Sequence, residues 1–178
     1  MNDCEDYIQT LETLKDLCPN CICDYVKMLF LDTICANPDR HTFNFGILRD
    51  IDTGDVLGLA PNFDNNMALI SRGYPKNIKR KNDIFVSLFN ELLEFDNRLK
   101  KYIPPLTEEI ILKVIKSVGM RVRSKEITEF IMNGYNQIEA INRSTDIFDY
   151  QHKIVQGYVC TLPAHISERF LFVCVNSC

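Results

Sequence analysis

Asn37-Pro38-Asp39-Arg40-His41-Thr42-Phe43-Asn44 and, fifteen residues on, Leu59-Ala60-Pro61-Asn62-Phe63-Asp64 are the stretches that decide how this chain is read. The first opens on a helix stop, because proline disfavours helical geometry in the residue before it. Upstream, Ile22, Val26, Leu29, Phe30 and Ile34 recur at helical spacing and predict a buried stripe that ends at Asn37-Pro38. Between the two stretches the pattern shortens to extended runs, Phe45 to Leu48 and Val56 to Leu59, joined by Asp50-Ile51-Asp52-Thr53-Gly54-Asp55. This predicts a β-hairpin: Gly54 supplies a positive φ, and the aspartates favour turns by bonding their own backbone.

Working outward, Tyr7, Ile8, Leu11 and Leu14 predict a first helix, capped by Asn2 or Asp3 and closed by Pro19. After Asp64 the chain to Asn82 lacks a periodic apolar face and holds Gly73, Pro75 and the cationic group Lys76, Lys79, Arg80, Lys81, so a loop is expected. A solvated basic loop is the plain account of that group; the attraction of an acidic substrate or a phosphate is the functional one. Three helices should follow. One spans about Asp83 to Lys101, stopped by Pro104-Pro105; one is capped by Thr107 and closed by Gly119; one is capped by Ser124 and carries Ile127, Phe130, Ile131, Tyr135, Ile138 and Ile141. The tail from Ser144 to Cys178 admits either a strand or a short buried helix at Phe170 to Val175. The expectation is one mainly α domain over residues 1–178, with a small hairpin carrying two polar loops.

Composition bounds the function. A net charge of -4 argues against general nucleic-acid binding, whose affinity comes from neutralising phosphates. The acidic start and the lack of any apolar run of bilayer length predict a cytoplasmic protein without membrane attachment. Eight cysteines in a chain of ordinary hydrophobicity are expected as reduced, buried thiols. Cys18-Pro19-Asn20-Cys21 invites a zinc corner, yet Cys160, His165, Cys174 and Cys178 lack the paired spacing of a second one. His152 and His165 carry no recognisable motif.

The two loops carry the chemistry. Phosphoryl transfer needs one carboxylate near the attacking hydroxyl and hard oxygen ligands for magnesium on the phosphates. Asp39 suits the first task, and Asn44 with Asp64 the second. Kinase catalytic loops place the metal-binding Asn five residues beyond the catalytic Asp, which is the separation of Asp39 and Asn44, and the second metal carboxylate follows a hairpin. The alternative is structural: Asn-Pro-Asp is a common turn signal, and Asp and Asn populate loops for local hydrogen bonding.

Asp-Arg-His-x-x-Asn, a hairpin and then Ala-Pro-x-Phe-Asp together resemble the catalytic core of HipA-like bacterial serine/threonine kinases, the toxin kinases of toxin–antitoxin pairs. The resemblance covers Val26 to Met67 and implies the helical C-terminal lobe of a protein kinase. It implies Asp39 as catalytic aspartate, Asn44 and Asp64 as magnesium ligands, and His41 facing the transferred phosphate of ATP. The same first string is similar to phosphoinositide-type lipid kinases, whereas Asn65-Asn66 after Asp64 follows the HipA-like pattern.

Such a site also needs a glycine-rich loop over the ATP phosphates and a strand-borne lysine. Neither precedes Asp39 in this sequence, where the first glycine is Gly46. The expectation is therefore a lobe that needs a complementary N-terminal lobe, and whose partner is that lobe, an antitoxin-like protein or a protein substrate. A non-catalytic interaction module built on the same lobe is the rival.

Overall fold

The structure, a computed structural model, describes residues 7–69, 83–119 and 121–138. It is mainly helical with one two-stranded antiparallel sheet, as the sequence predicts. The helices are α1 (Tyr7–Leu17), α2 (Ile22–Cys35), α3 (Ile84–Phe95), α4 (Glu108–Ser117) and α5 (Ser124–Asn136); the strands are β1 (Ile47–Arg49) and β2 (Val56–Leu59). Two 3-10 turns, Pro19–Cys21 and Asn97–Tyr102, follow α1 and α3. The expected basic loop and tail, with Ile141, His152 and His165, lie outside the described residues.

The core is built around α2, whose apolar residues run almost all the way round it and not along one stripe. Such a helix must be covered on most sides. Phe30 shows how: its ring lies 6.2 Å from Phe89 of α3 and 6.1 Å from Tyr135 of α5, so one side chain pins three helices. Burying each such ring or leucine contributes about 1.5–3 kcal/mol.

On the other side Tyr25 meets Phe45 at 5.9 Å, which fixes the chain leading into the hairpin. Phe45 is thus a packing residue and not the start of a strand as expected; β1 begins two residues later. In the ladder Ile47 pairs with Leu59, Leu48 with Gly58 and Arg49 with Val56, with a bulge between Leu48 and Arg49. Gly54 turns with φ +76°.

Three further expectations are corrected. The helix expected to reach Lys101 breaks at Asp96, whose carboxylate accepts from the Arg98 N–H and opens the second 3-10 turn. Lys15 of α1 also meets that carboxylate at 3.0 Å, so an interhelical contact is gained where the helix stops. Ser124 lies inside α5 without capping it, and its hydroxyl approaches the Val122 carbonyl at 3.5 Å. Cys18 and Cys21 form a disulfide in place of reduced thiols, because the 3-10 turn brings their Cα atoms to 5.3 Å. Cys23 and Cys35 are free, as expected. Thr107 caps α4 through the Ile110 N–H, and Gly119 closes it with φ +71°.

Candidate active site: two loops on one arginine

The site begins at the end of α2. Ala36 adopts the left-handed region, φ 51°, and its N–H returns to Thr33 O while the Asn37 N–H returns to Asp32 O at 2.8 Å. This is a Schellman-type closure, normally made by glycine, and Pro38 prevents the helix from resuming. The chain is thereby thrown back across the last turn of α2, where Asp32 waits.

Asp32 is 1% exposed in the midst of Leu31, Thr33 and Ile34. A carboxylate there requires partners. Arg40 supplies a fork, Nε to Oδ2 at 2.7 Å and Nη2 to Oδ1 at 3.0 Å, and Asn37 Nδ2 donates to Oδ1 at 2.8 Å. Burial holds the Asp32 carboxyl above its ordinary value, and the bonds from Arg40 and Asn37 oppose that shift.

The remaining donors of Arg40 leave α2 altogether. Nη1 donates to the Asn44 carbonyl at 2.7 Å and to the Phe63 carbonyl at 3.1 Å, and Nη2 donates to Asn65 Oδ1 at 2.6 Å. All five guanidinium hydrogens are thus used, and they join helix α2, the 37–44 loop and the 62–65 loop. The two loops that the sequence singles out are brought together by one side chain.

Asn44 closes the first loop on itself. Its amide nitrogen donates to the Asp39 carbonyl, its Oδ1 accepts from the His41 N–H at 2.9 Å, and its own N–H returns to His41 O at 3.0 Å. Asn37 Oδ1 accepts from the Asp39 N–H at 3.3 Å. With its backbone held at both ends, Asp39 keeps its side chain about half exposed, at 45%. His41 Nδ1 accepts from the Phe43 N–H at 3.2 Å, so a neutral ring carries its proton on Nε2, the atom 3.9 Å from Asp39 Oδ1.

Asp64 stands in the left-handed region, φ 56°, between Phe63 and Asn65, both of which bond Arg40. A non-glycine residue there carries strain that persists only where its surroundings determine it, and here both neighbours are fixed. Its side chain is exposed and makes no hydrogen bond or ion pair among the described residues.

Do these groups fit magnesium? Asp64 is a hard, open oxygen donor, as that ion requires. An amide oxygen has two acceptor positions; on Asn44 the His41 N–H fills one, and the other has only a long 3.4 Å approach from Arg40. Close by in sequence, Asn65 Nδ2 and Asn62 Nδ2 are buried donors without a partner, which a water or ligand oxygen would satisfy, and Asn62 Oδ1 is a buried acceptor, which a water would satisfy. Among the described residues no three His, Cys, Asp or Glu side chains converge. A cation here would therefore draw the rest of its oxygens from phosphate and water, as magnesium commonly does. The zinc corner is closed by the Cys18–Cys21 disulfide.

Of the four candidates, Asp39, His41 and Asn44 share one hydrogen-bonded loop, and Asp64 is joined to it through Arg40. Sequence reasoning missed Asp32, Arg40, Asn37 and Asn65 as the frame. A lone carboxylate inside the apolar run Leu29-Phe30-Leu31-Asp32 was the available signal. A groove of about 870 Å³ between α4 and α5, lined by Leu112, Thr128 and Met132 among others, contains none of the four. Among the described residues no helix is long and apolar enough to cross a membrane. No family model, no curated protein and no solved structure matches the chain.

Proposed function

We propose that this chain is the helical, loop-bearing half of an ATP- and magnesium-dependent phosphotransfer site of the HipA-like kind, acting on a protein serine or threonine hydroxyl. The observation that carries the reading is the junction at Arg40: an Asp–Asn loop and an Asp loop, separated by a hairpin, are tied to one buried guanidinium while Asp39 and Asp64 remain open to solvent. Catalysis of phosphoryl transfer is mostly positioning and charge neutralisation, and a rigid frame beneath two open carboxylates suits that task.

In this reading Asp39 orients the acceptor hydroxyl and receives its hydrogen bond. Asp64, exposed, and the buried amide oxygen of Asn44 would hold magnesium, which would supply charge neutralisation on the phosphates. His41, whose Nε2 lies 3.9 Å from Asp39 Oδ1, would be a donor to the transferred group. The test is thermal melting with and without Mg-ATP: the native chain is expected to be stabilised by Mg-ATP and the Asp64→Asn variant not. Equal behaviour of the two removes Asp64 from the site.

A second reading, a non-catalytic interaction module, is favoured by one observation. Asn44, the proposed metal ligand, spends its amide on closing its own loop. Absence of any Mg-ATP response in the native chain would select it.

A further inference from the structure

The polar loops have a second anchorage besides Arg40, at the other end of α2. The hairpin between them packs there: Tyr25 meets Phe45 at 5.9 Å, and Ile47, Val56 and Leu59 lie against the cluster that holds Cys18, Cys21 and Tyr25. The 3-10 turn Pro19–Cys21 itself touches β2. Beyond the ladder the Ala60 N–H donates to Gly46 O at 2.7 Å, so the two loops leave the hairpin side by side, toward Asn44 in one direction and Asn62 in the other. What happens at the turn therefore bears on the base of both loops.

Inside that turn sits the Cys18–Cys21 disulfide, with Cys18 5% exposed and Cys21 fully buried. The turn has bonds of its own to keep its shape, since the Cys21 N–H donates to Cys18 O and the Cys18 N–H to Leu14 O, both at 2.8 Å. They hold the two Cα atoms 5.3 Å apart, within the reach of a disulfide, so a broken bridge re-forms without a search for its partner. The sulfurs behave differently. A covalent bond keeps them closer than two unbonded atoms can approach, and two thiols have to move apart. Because both residues are buried, the added room comes from their packed neighbours, β2 among them.

We propose that Cys18–Cys21 is a reversible thiol–disulfide exchange site that takes a dithiol reductant and sets how firmly the hairpin, and with it the base of both polar loops, is held. One thiolate of the reductant attacks one of the two sulfurs, and the Cys18–Cys21 bond breaks to leave a mixed disulfide and one cysteine thiolate. The second thiol of the reductant then displaces the remaining cysteine sulfur. Two electrons and two protons pass to the chain, which gains two thiols, and the reductant leaves as a cyclic disulfide. A disulfide of that kind restores the bond by the same steps reversed. The cysteines stand only three residues apart, so the bridge constrains little of the chain and its opening leaves the fold standing. The inference holds whatever chemistry the loops perform.

The experiment treats the full native chain, without denaturant, with dithiothreitol and then with its oxidised form. Alkylation by N-ethylmaleimide and peptide mass mapping count the thiols at Cys18 and Cys21. Hydrogen exchange reads the amides of residues 45–60, with α4, which packs on α5, as the internal reference. Dithiothreitol is expected to open the bridge in the folded chain and to speed exchange at Val56–Leu59 by about tenfold, leaving α4 unchanged. The oxidised form should reverse both effects. A Cys18→Ser/Cys21→Ser variant should exchange like the reduced chain and ignore dithiothreitol, which separates this bridge from the other cysteines; if the buried serines prevent folding, the native chain decides alone. The inference is overturned if the bridge yields only in urea that unfolds the chain, if hairpin exchange is unchanged once both thiols are free, if exchange rises as much in α4 as in the hairpin, or if the folded double variant still responds to dithiothreitol.

Discussion

Arg40 meets Asp32 edge to edge, Nε to Oδ2 at 2.7 Å and Nη2 to Oδ1 at 3.0 Å, with both side chains all but removed from solvent. Pairing two buried charges costs desolvation that roughly offsets their attraction, so this contact is poor as a stabiliser in its own right. Its consequence is geometric. The guanidinium plane is fixed by α2, and its other edge is thereby presented to Asn44, Phe63 and Asn65. Removing one partner leaves the other charge buried and alone. Arg40→Ala is therefore expected to destabilise the fold by about 3–5 kcal/mol, measured by urea unfolding. Arg40→Lys retains the charge opposite Asp32 without the fork, and should cost less stability while still loosening both loops. An Arg40→Ala variant as stable as the native chain would show that the fork does not hold the loops.

Ala36 gives a prediction of opposite sign. It occupies the left-handed region, φ 51°, where a β-carbon costs about 1–2 kcal/mol, and the carbonyls of Asp32 and Thr33 depend on that conformation for their partners. Ala36→Gly should therefore stabilise the chain, by up to about 1 kcal/mol once the extra backbone entropy of glycine is deducted. Calorimetric melting reads this directly, and a lowered midpoint would show that the turn is not strained.

How much of this was legible beforehand follows the range of the interactions concerned. The end of α2 before Asn37-Pro38, the Gly54 turn, the Thr107 cap and the Gly119 stop depend on contacts within a few residues, and the structure places them where the sequence predicts. The split at Asp96 was not legible, and the Lys15 contact that accompanies it comes from 81 residues away in α1. Phe45 alternates like a strand residue but is claimed by Tyr25. At the site, the spacing of Asp39 and Asn44 identified a loop, and local bonds close it. What joins that loop to Asp64 is Arg40, which sequence reasoning had taken only as a letter of the motif.

Asp96 controls the acid response. Arg98 first, then Lys15 and the Arg98 N–H, hold its carboxyl well below the ordinary 3.8. A depressed folded value means that its contribution is fully present above the unfolded value and is lost as pH falls through about 4 and lower. The stability difference between native chain and Asp96→Asn should be constant near neutrality and shrink on acidification below about pH 4, as measured by urea midpoints across that range. A difference independent of pH would show that the carboxylate charge plays no part at this break. Asp32 does not confuse the comparison, since it is present in both proteins.

The Cys18–Cys21 bridge closes a very short loop between α1 and α2. On chain-entropy grounds such a loop is worth about 2 kcal/mol, a modest contribution because few residues are constrained. Reduction, or replacement of both cysteines by serine, should lower the melting midpoint without unfolding the chain. Thiol counting before and after reductant checks the bridge itself, and two reactive thiols at these positions in the untreated native chain would contradict it.

Asn44 separates the two accounts of the site. As a clamp it donates to the Asp39 carbonyl and accepts from the His41 N–H; as a ligand it offers only its oxygen. Asn44→Ala removes both capacities, whereas Asn44→Asp removes the donor and keeps an oxygen for a cation. Both variants should lose stability, by about 1–3 kcal/mol, because the Asp39 carbonyl loses its partner. Their responses to Mg-ATP should part: Asn44→Asp is expected to retain magnesium-dependent stabilisation that Asn44→Ala loses. If both lose it to the same extent, the loop has to be closed before any cation binds, and Asn44 acts on Asp39 rather than on the metal. If both retain it, Asp64 holds the ion without help from this residue.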